Sequence, residues 1–196
     1  MSQGTDVDRP LNLAIIIGST REGRFGDTVG RWFAKEAARH GGFAIDVIDL
    51  IDITLPPSHR AKPTPEVDAF RKRLAAADAF VIVTPEYNHS YPASLKHAID
   101  QAYAEWMAKP VGFVSYGGTV GGVRAIEHLR HVFAELHATT IRDYLPFINA
   151  RRQFDEDGNP VDREGPRKAA KVMLDRLAWW AEALRTAREA RPYVKS

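Results

Sequence analysis

Four short apolar runs, LNLAIIIG from Leu11, FAIDVIDL from Phe43, AFVIVT from Ala79 and PVGFVSYGG from Pro110, are separated by stretches of helical periodicity. Near-continuous runs of this length mark strands covered on both faces, as in a parallel sheet. A weaker fifth candidate, ATTIRDYLPF, starts at Ala138. Helical stripes fill the gaps: Val29, Trp32, Phe33 and Ala37 after the first run, Val67, Phe70 and Leu74 before the third, and Leu95, Ala98, Ile99, Ala102, Tyr103 and Trp106 after it. Val123, Ile126, Leu129, Phe133 and Leu136 form a fourth stripe, and Ala170, Met173, Leu174, Leu177, Ala181 and Leu184 a fifth. Apolar residues spaced in this way share one helical face. Strands alternating with helices imply right-handed crossovers and a parallel sheet, so the fold class is α/β.

Five such strands suit a flavodoxin-like three-layer sandwich, with sheet order 2-1-3-4-5 and helices on both faces. Its ligand crevice opens at the carboxyl ends of the strands, where the order switches between strands 1 and 3. The 196 residues, 44% of them apolar, suffice for one domain spanning 1–196. Residues 1–10 are expected to be a polar extension and 150–166 a surface loop before the last helix. The stretch TLPPSHRAKPTPE is a second surface excursion.

Charge narrows the partners. With 27 basic and 25 acidic residues the balance points to neither nucleic acid nor a membrane surface. No cysteine is present, which excludes disulfides, thiolate metal sites and cysteine nucleophiles. The first apolar run is too short for a signal segment or a membrane span, so a cytoplasmic location is expected.

The loop after the first strand, GSTREGRFGDT, offers free backbone N–H groups, the hydroxyls of Ser19 and Thr20, and the guanidinium groups of Arg21 and Arg24 at the start of a helix. That combination suits a phosphate. A Walker A loop is excluded because no lysine occurs before Lys35, and a G-x-G-x-x-G fingerprint is absent. Phosphate monoesters remain, flavin mononucleotide (FMN) among them. The alternative is a plain strand-to-helix turn capped by Asp27 or Thr28.

After the third strand comes PEYNHSYPASLKHAID, which neither strand nor helix needs in order to fold. Pro85 stiffens the strand exit and Tyr87 offers an aromatic face. The amides of Glu86, Tyr87 and Asn88 are placed to donate to a heterocycle. Pro92 stands near the helix start, where its missing N–H is harmless.

Three blocks, GSTREGRFG, TPEYNHSYPASLKHAID and SYGGTVGGVRAIEHLR, stand in order at the ends of strands 1, 3 and 4. Together they resemble the NADPH-dependent FMN reductases, a family of flavodoxin-like fold that includes quinone, azo-dye and chromate reductases. The resemblance implies that Ser19, Arg21, Arg24 and Gly26 surround the FMN phosphate. It also implies that Pro85, Glu86, Tyr87 and Asn88 border the isoalloxazine, with Ser115, Gly117 and Gly118 closing the site. Arg24 stands where many members carry serine, and it could instead face the 2′-phosphate of the nicotinamide nucleotide.

The expected activity is FMN-dependent oxidation of NADPH or NADH, with ping-pong passage of a hydride through the flavin to a quinone, a nitro or azo compound, or free flavin. No side-chain acid or base is required, so no catalytic residue is assigned. A homodimer or homotetramer is implied by the resemblance alone. The alternative is a flavodoxin-like carrier or flavin-binding module without catalysis of its own, which the near-neutral charge and the two arginines disfavour. His128 and His131 have ligand-like spacing on the fourth helix but no third ligand, so no metal is expected. Ser19 and Ser90 lack a nucleophile-elbow context. Trp106, Trp179 and Trp180 read as core or subunit contacts, and Lys96 with Asp100 as an ordinary helix pair.

Overall fold

A computed structural model describes residues 9–58 and 62–193 of the chain. Five strands, β1 (Leu11–Ile17), β2 (Phe43–Asp49), β3 (Ala79–Pro85), β4 (Pro110–Gly117) and β5 (Thr139–Ile148), form one sheet. Every pairing is parallel and the order is β2-β1-β3-β4-β5, as the alternation of runs and stripes predicts. β1 is the hinge of the topology, since Ile15 faces Val47 of β2 on one side and Val81 of β3 on the other. The five helices are α1 (Gly26–His40), α2 (Pro65–Ala76), α3 (Ala93–Ile99), α4 (Val123–Glu135) and α5 (Glu164–Ala190).

Strand alternation divides the core into two layers. Leu13, Ile15, Val81, Val83 and Val114 point to the face covered by α1 and α5, where they meet Trp32, Phe33, Met173 and Leu177. Ile16, Phe80, Ile82 and Phe113 point to the opposite face and meet Phe70 of α2, Leu95 of α3, and Leu129 and Phe133 of α4. The central strand β3 is buried along its whole length, which explains why AFVIVT shows no polar alternation.

Two expectations are corrected. The stripe from Leu95 to Trp106 predicts one continuous helix, but α3 stops at Ile99 and a separate 3-10 turn spans Ala104–Trp106. Trp106 is fully buried, and its indole Nε1 donates to the Ile99 carbonyl at 3.1 Å. The same carbonyl accepts the Ala102 amide at 3.3 Å, so the helix end is satisfied without a further turn. The stretch expected to be a surface loop over 150–166 begins with a 3-10 turn at Ala150–Arg152, buries Phe154, and gives way to α5 at Glu164. Of the polar extension expected over residues 1–10, all but Arg9 and Pro10 lie outside the described residues, as do positions 59–61 of the other excursion.

Trp179 and Trp180 of α5 are 64% and 38% exposed and stack edge to face on each other, whereas Trp106 is a core residue. Lys96 and Asp100 form the surface pair expected of them. Among the described residues no helix is long and apolar enough to cross a membrane.

Candidate active site

The carboxyl ends of β1, β3 and β4 deliver three loops to one crevice of about 540 Å³. The first loop leaves β1 through Gly18 and turns tightly, the Arg24 amide donating to the Arg21 carbonyl at 3.1 Å. Gly23, at φ 63°, occupies the third position of that turn, where a left-handed backbone is needed. α1 then begins at Gly26, earlier than an Asp27 or Thr28 cap would place it. Its N-cap is Phe25, whose side chain makes no capping bond. The first amides of α1 are therefore without a side-chain acceptor, with the positive end of the helix dipole behind them.

Arg24 does not extend a free guanidinium into this site. It forms a fork with Asp49 at the end of β2, at 2.5 and 2.6 Å, and also donates to the Ser19 carbonyl at 2.8 Å. Asp49 raises the ionisation of Arg24 further above its ordinary range, with burial acting in the opposite direction. Arg21 is exposed, lies 5.8 Å over the Tyr87 ring, and its guanidinium makes no hydrogen bond or ion pair among the described residues. Of the two arginines in the loop, Arg21 is the one available to an anion.

The second loop folds back on itself. The Tyr87 amide donates to the Ser90 carbonyl at 2.7 Å and the Ser90 amide to the Tyr87 carbonyl at 3.0 Å. Asn88 and His89 lie at φ 50° and 69°, and positive φ at both central residues is what a type I′ turn requires. This geometry occupies two of the three amides expected to serve a heterocycle, because the Glu86 amide also bonds the Tyr116 carbonyl at 3.3 Å. The Asn88 amide remains without a bond among the described residues. The Glu86 carboxylate accepts from the guanidinium of Arg124 at 2.9 Å and from its amide at 3.3 Å, and so holds the first turn of α4.

Pro85, Glu86, Tyr87, Gly117, Gly118, Arg21 and Arg24 line the crevice together. Ser19, Gly26, Asn88 and Ser115 do not. Ser19 is fully buried behind the lining, its hydroxyl 2.7 Å from that of Tyr87. Ser115 is equally buried and donates to the Gly121 carbonyl at 2.7 Å, which fixes the glycine loop. Gly26 packs under Tyr116, and Asn88 sits on the exposed turn.

Several lining residues had no part in the sequence-based site, among them Phe25, Tyr116, Arg151 and Arg152. The Tyr116 hydroxyl is buried and makes no hydrogen bond. Burial pushes its ionisation well up and the neighbouring Tyr87 adds to this. Ser19 lies near enough to pull weakly the other way but has its hydrogen bond with Tyr87. Arg151 and Arg152 belong to the 3-10 turn after β5, and Asn149, which precedes them, donates to the Gly118 carbonyl at 2.9 Å. The sequence signal for this wall was two adjacent arginines following a strand.

Residues 11–152 match the profile that defines the NADPH-dependent FMN reductases. The chain belongs to that family. It is 38% identical over 129 residues, 61% of this chain and 64% of the relative, to the NAD(P)H-dependent FMN reductase C4B3.06c of Schizosaccharomyces pombe. It is 32% identical over 188 residues, 90% of this chain and 92% of the relative, to the probable NADPH:quinone oxidoreductase 2 of Oryza sativa subsp. japonica. Among solved structures it resembles the flavoenzyme NAD(P)H:acceptor oxidoreductase FerB of Paracoccus denitrificans. The TM-score is 0.71 at 23% identity, covering 88% of this chain and 98% of that one, a likeness of fold.

As an NADPH-dependent FMN reductase the chain is an oxidoreductase with FMN as cofactor and a reduced nicotinamide as co-substrate. Its residues fit that cofactor. An uncapped helix start, the unpaired Arg21, the Tyr87 ring and open space beside Gly118 meet at one crevice, so groups suited to a phosphate and to a heterocycle sit at neighbouring loops.

Proposed function

We propose that this crevice binds FMN with its phosphate at the start of α1 and its ring between the Tyr87–Ser90 turn and Gly117–Gly118, and that reduced nicotinamide and a small quinone occupy the remaining space in turn. The observation that carries this is the convergence of the loops after β1, β3 and β4, with the unpaired Arg21 on the first and Tyr87 on the second, on a crevice of about 540 Å³, within the size range of ligand clefts. Bound FMN supplies the two-electron carrier between nicotinamide and acceptor.

Within this reading the eleven positions implied by resemblance divide into three roles. Arg21 binds the phosphate, Pro85, Tyr87, Gly117 and Gly118 contact the ring, and Asn88, outside the crevice lining, reaches it only from the edge of the turn. Ser19, Arg24, Gly26, Glu86 and Ser115 shape the loops from behind, through the Tyr87 hydroxyl, Asp49, Tyr116, Arg124 and the Gly121 carbonyl respectively. The Asn88 amide provides fixed electrostatic stabilisation for charge that develops on the ring, which needs no acid or base.

The acceptor class rests on the quinone oxidoreductase that the chain resembles over nine-tenths of its length. A homo-oligomer is supported by the exposed Trp179 and Trp180, which lie beside Arg142 and Asp143 of β5, the edge strand of the sheet. Steady-state rates with NADPH and a benzoquinone test the proposal. Alternating use of one crevice gives parallel double-reciprocal lines, whereas intersecting lines require both substrates to be bound at once.

A further inference from the structure

The crevice is lined by four arginines, and their partners separate them. Arg24 is neutralised by Asp49. Arg151 donates to the Gly23 carbonyl at 2.7 Å and lies 5.2 Å over the Phe25 ring, bracing the first loop from the far wall. Arg21 stands on the loop itself, beside the start of α1. Arg152 is exposed at the rim, and its guanidinium makes no hydrogen bond or ion pair among the described residues. Of the lining acids, Glu86 is held by Arg124, which leaves Glu22, exposed on the first loop.

The backbone that carries Arg152 is fixed. Its amide donates to the Asn149 carbonyl at 2.8 Å, and the Asn149 amide donates in turn to Gly118 at 2.9 Å. Gln153 bonds the Ile148 carbonyl through its side chain at 2.5 Å and the Val161 amide through its own carbonyl at 2.8 Å. Phe154 is buried against Phe25 and Phe147. An unpaired guanidinium on so well anchored a turn is free to fork onto two oxygens of a multiply charged acceptor such as a phosphate.

We infer that Arg152 is a specificity-determining residue that binds the 2′-phosphate of NADPH and discriminates it from NADH, an assignment that rests on the FMN reading above. The α1 start and Arg21 provide the donors for one phosphate, that of FMN. A crevice of about 540 Å³ accommodates one mononucleotide, so a dinucleotide whose nicotinamide reaches the flavin must leave its adenosine end at the rim. With Arg21 given to the FMN phosphate, Arg152 is the other unpaired cation of the lining among the described residues.

The test uses FMN-loaded protein and the variants Arg152→Ala and Arg152→Lys. Calorimetric titration with 2′,5′-ADP and with 5′-AMP reads phosphate recognition apart from turnover, and kcat/KM is measured for NADPH and NADH. The expected result for Arg152→Ala is a loss of tenfold or more in 2′,5′-ADP affinity with 5′-AMP unchanged, and an equal fall in the NADPH:NADH ratio of kcat/KM. Arg152→Lys recovers part of both, and FMN affinity is unaltered. Equal loss for both nucleotides, no loss for either, a wild type that does not distinguish them, or a fall in FMN affinity in place of these effects overturns the assignment. Protein that takes up no FMN at all overturns the reading beneath it, and the assignment with it.

Discussion

Arg24 and Asp49 are joined by two parallel hydrogen bonds, at 2.5 and 2.6 Å, that fasten the loop after β1 to the end of β2. Both side chains are largely withdrawn from water, 12% and 16% exposed. Removing one member of such a pair leaves a desolvated charge uncompensated, which costs more than the pair itself contributes. Asp49→Ala is therefore expected to lower the unfolding free energy by about 1–3 kcal/mol, the range for an unpaired buried polar or charged group. Urea denaturation of the cofactor-free protein measures it. An unchanged midpoint shows that the fork does not fasten the loop.

The two arginines of the first loop should separate in their effects. Arg21→Ala is expected to weaken FMN binding by roughly 1.5–3 kcal/mol, the range for hydrogen bonds to charged groups, with little change in stability. Arg24→Ala should destabilise the protein even without FMN. Flavin fluorescence titration beside thermal melts of both variants makes the comparison, and identical profiles contradict the division of roles.

Tyr116 and Gly26 form a second coupled pair. A Cβ at position 26 would stand 2.5 Å from the Tyr116 hydroxyl, which has no hydrogen-bond partner. Tyr116→Phe removes an unsatisfied buried group and should stabilise the cofactor-free protein by about 1 kcal/mol. Gly26→Ala should destabilise the wild type and do so less in the Tyr116→Phe background, because the clashing oxygen is gone. Additivity of the two substitutions is the contrary result.

Lys109 precedes β4, at the end of the sheet away from the crevice, its Nζ donating to the carbonyls of Leu74 and Ala75 at 2.8 and 3.0 Å. Burial pushes its ammonium down from 10.5 to about 8, and the nearby Arg188 adds to this while Asp78 and Glu105 oppose it. Because the folded value is the lower one, the unfolded chain holds more protons between about pH 8 and the ordinary lysine value, and stability gains with pH across that window. Below it the penalty is fully present. The unfolding free energy of wild type minus that of Lys109→Met should rise by on the order of 2–3 kcal/mol from pH 8 to the ordinary lysine value. A flat difference shows that Lys109 does not titrate there.

The sheet was legible because its strands are buried on both faces, and every apolar run became a strand in the expected order. The loops after β1 and β3 were legible because hydroxyls and arginines follow the first run, and a proline, an acid, an aromatic and an amide end the third, residues that a strand or helix does not need in order to fold. Long-range partners were not. Nothing in GSTREGRFG reveals that Arg24 is claimed by Asp49, 25 positions away. Tyr116 read as part of an apolar strand, and its unpaired hydroxyl emerges only when β4 meets α1. The wall formed by Arg151 and Arg152 was hidden in a stretch expected to be surface, because it depends on Phe154 packing against Phe25. The end of α3 was misplaced because the apolar stripe continues past Ile99 into a 3-10 turn, where Trp106 is buried and its indole bonds back to the Ile99 carbonyl.

The central claim is that one crevice holds FMN and passes electrons from reduced nicotinamide to a small acceptor. Anaerobic stopped-flow mixing of FMN-loaded protein with NADPH, followed by a benzoquinone, tests it most directly. The account predicts full bleaching of the flavin band in the first step and its return in the second. A flavin that stays oxidised in excess NADPH and NADH, or that is bleached and then ignores the quinone, contradicts it.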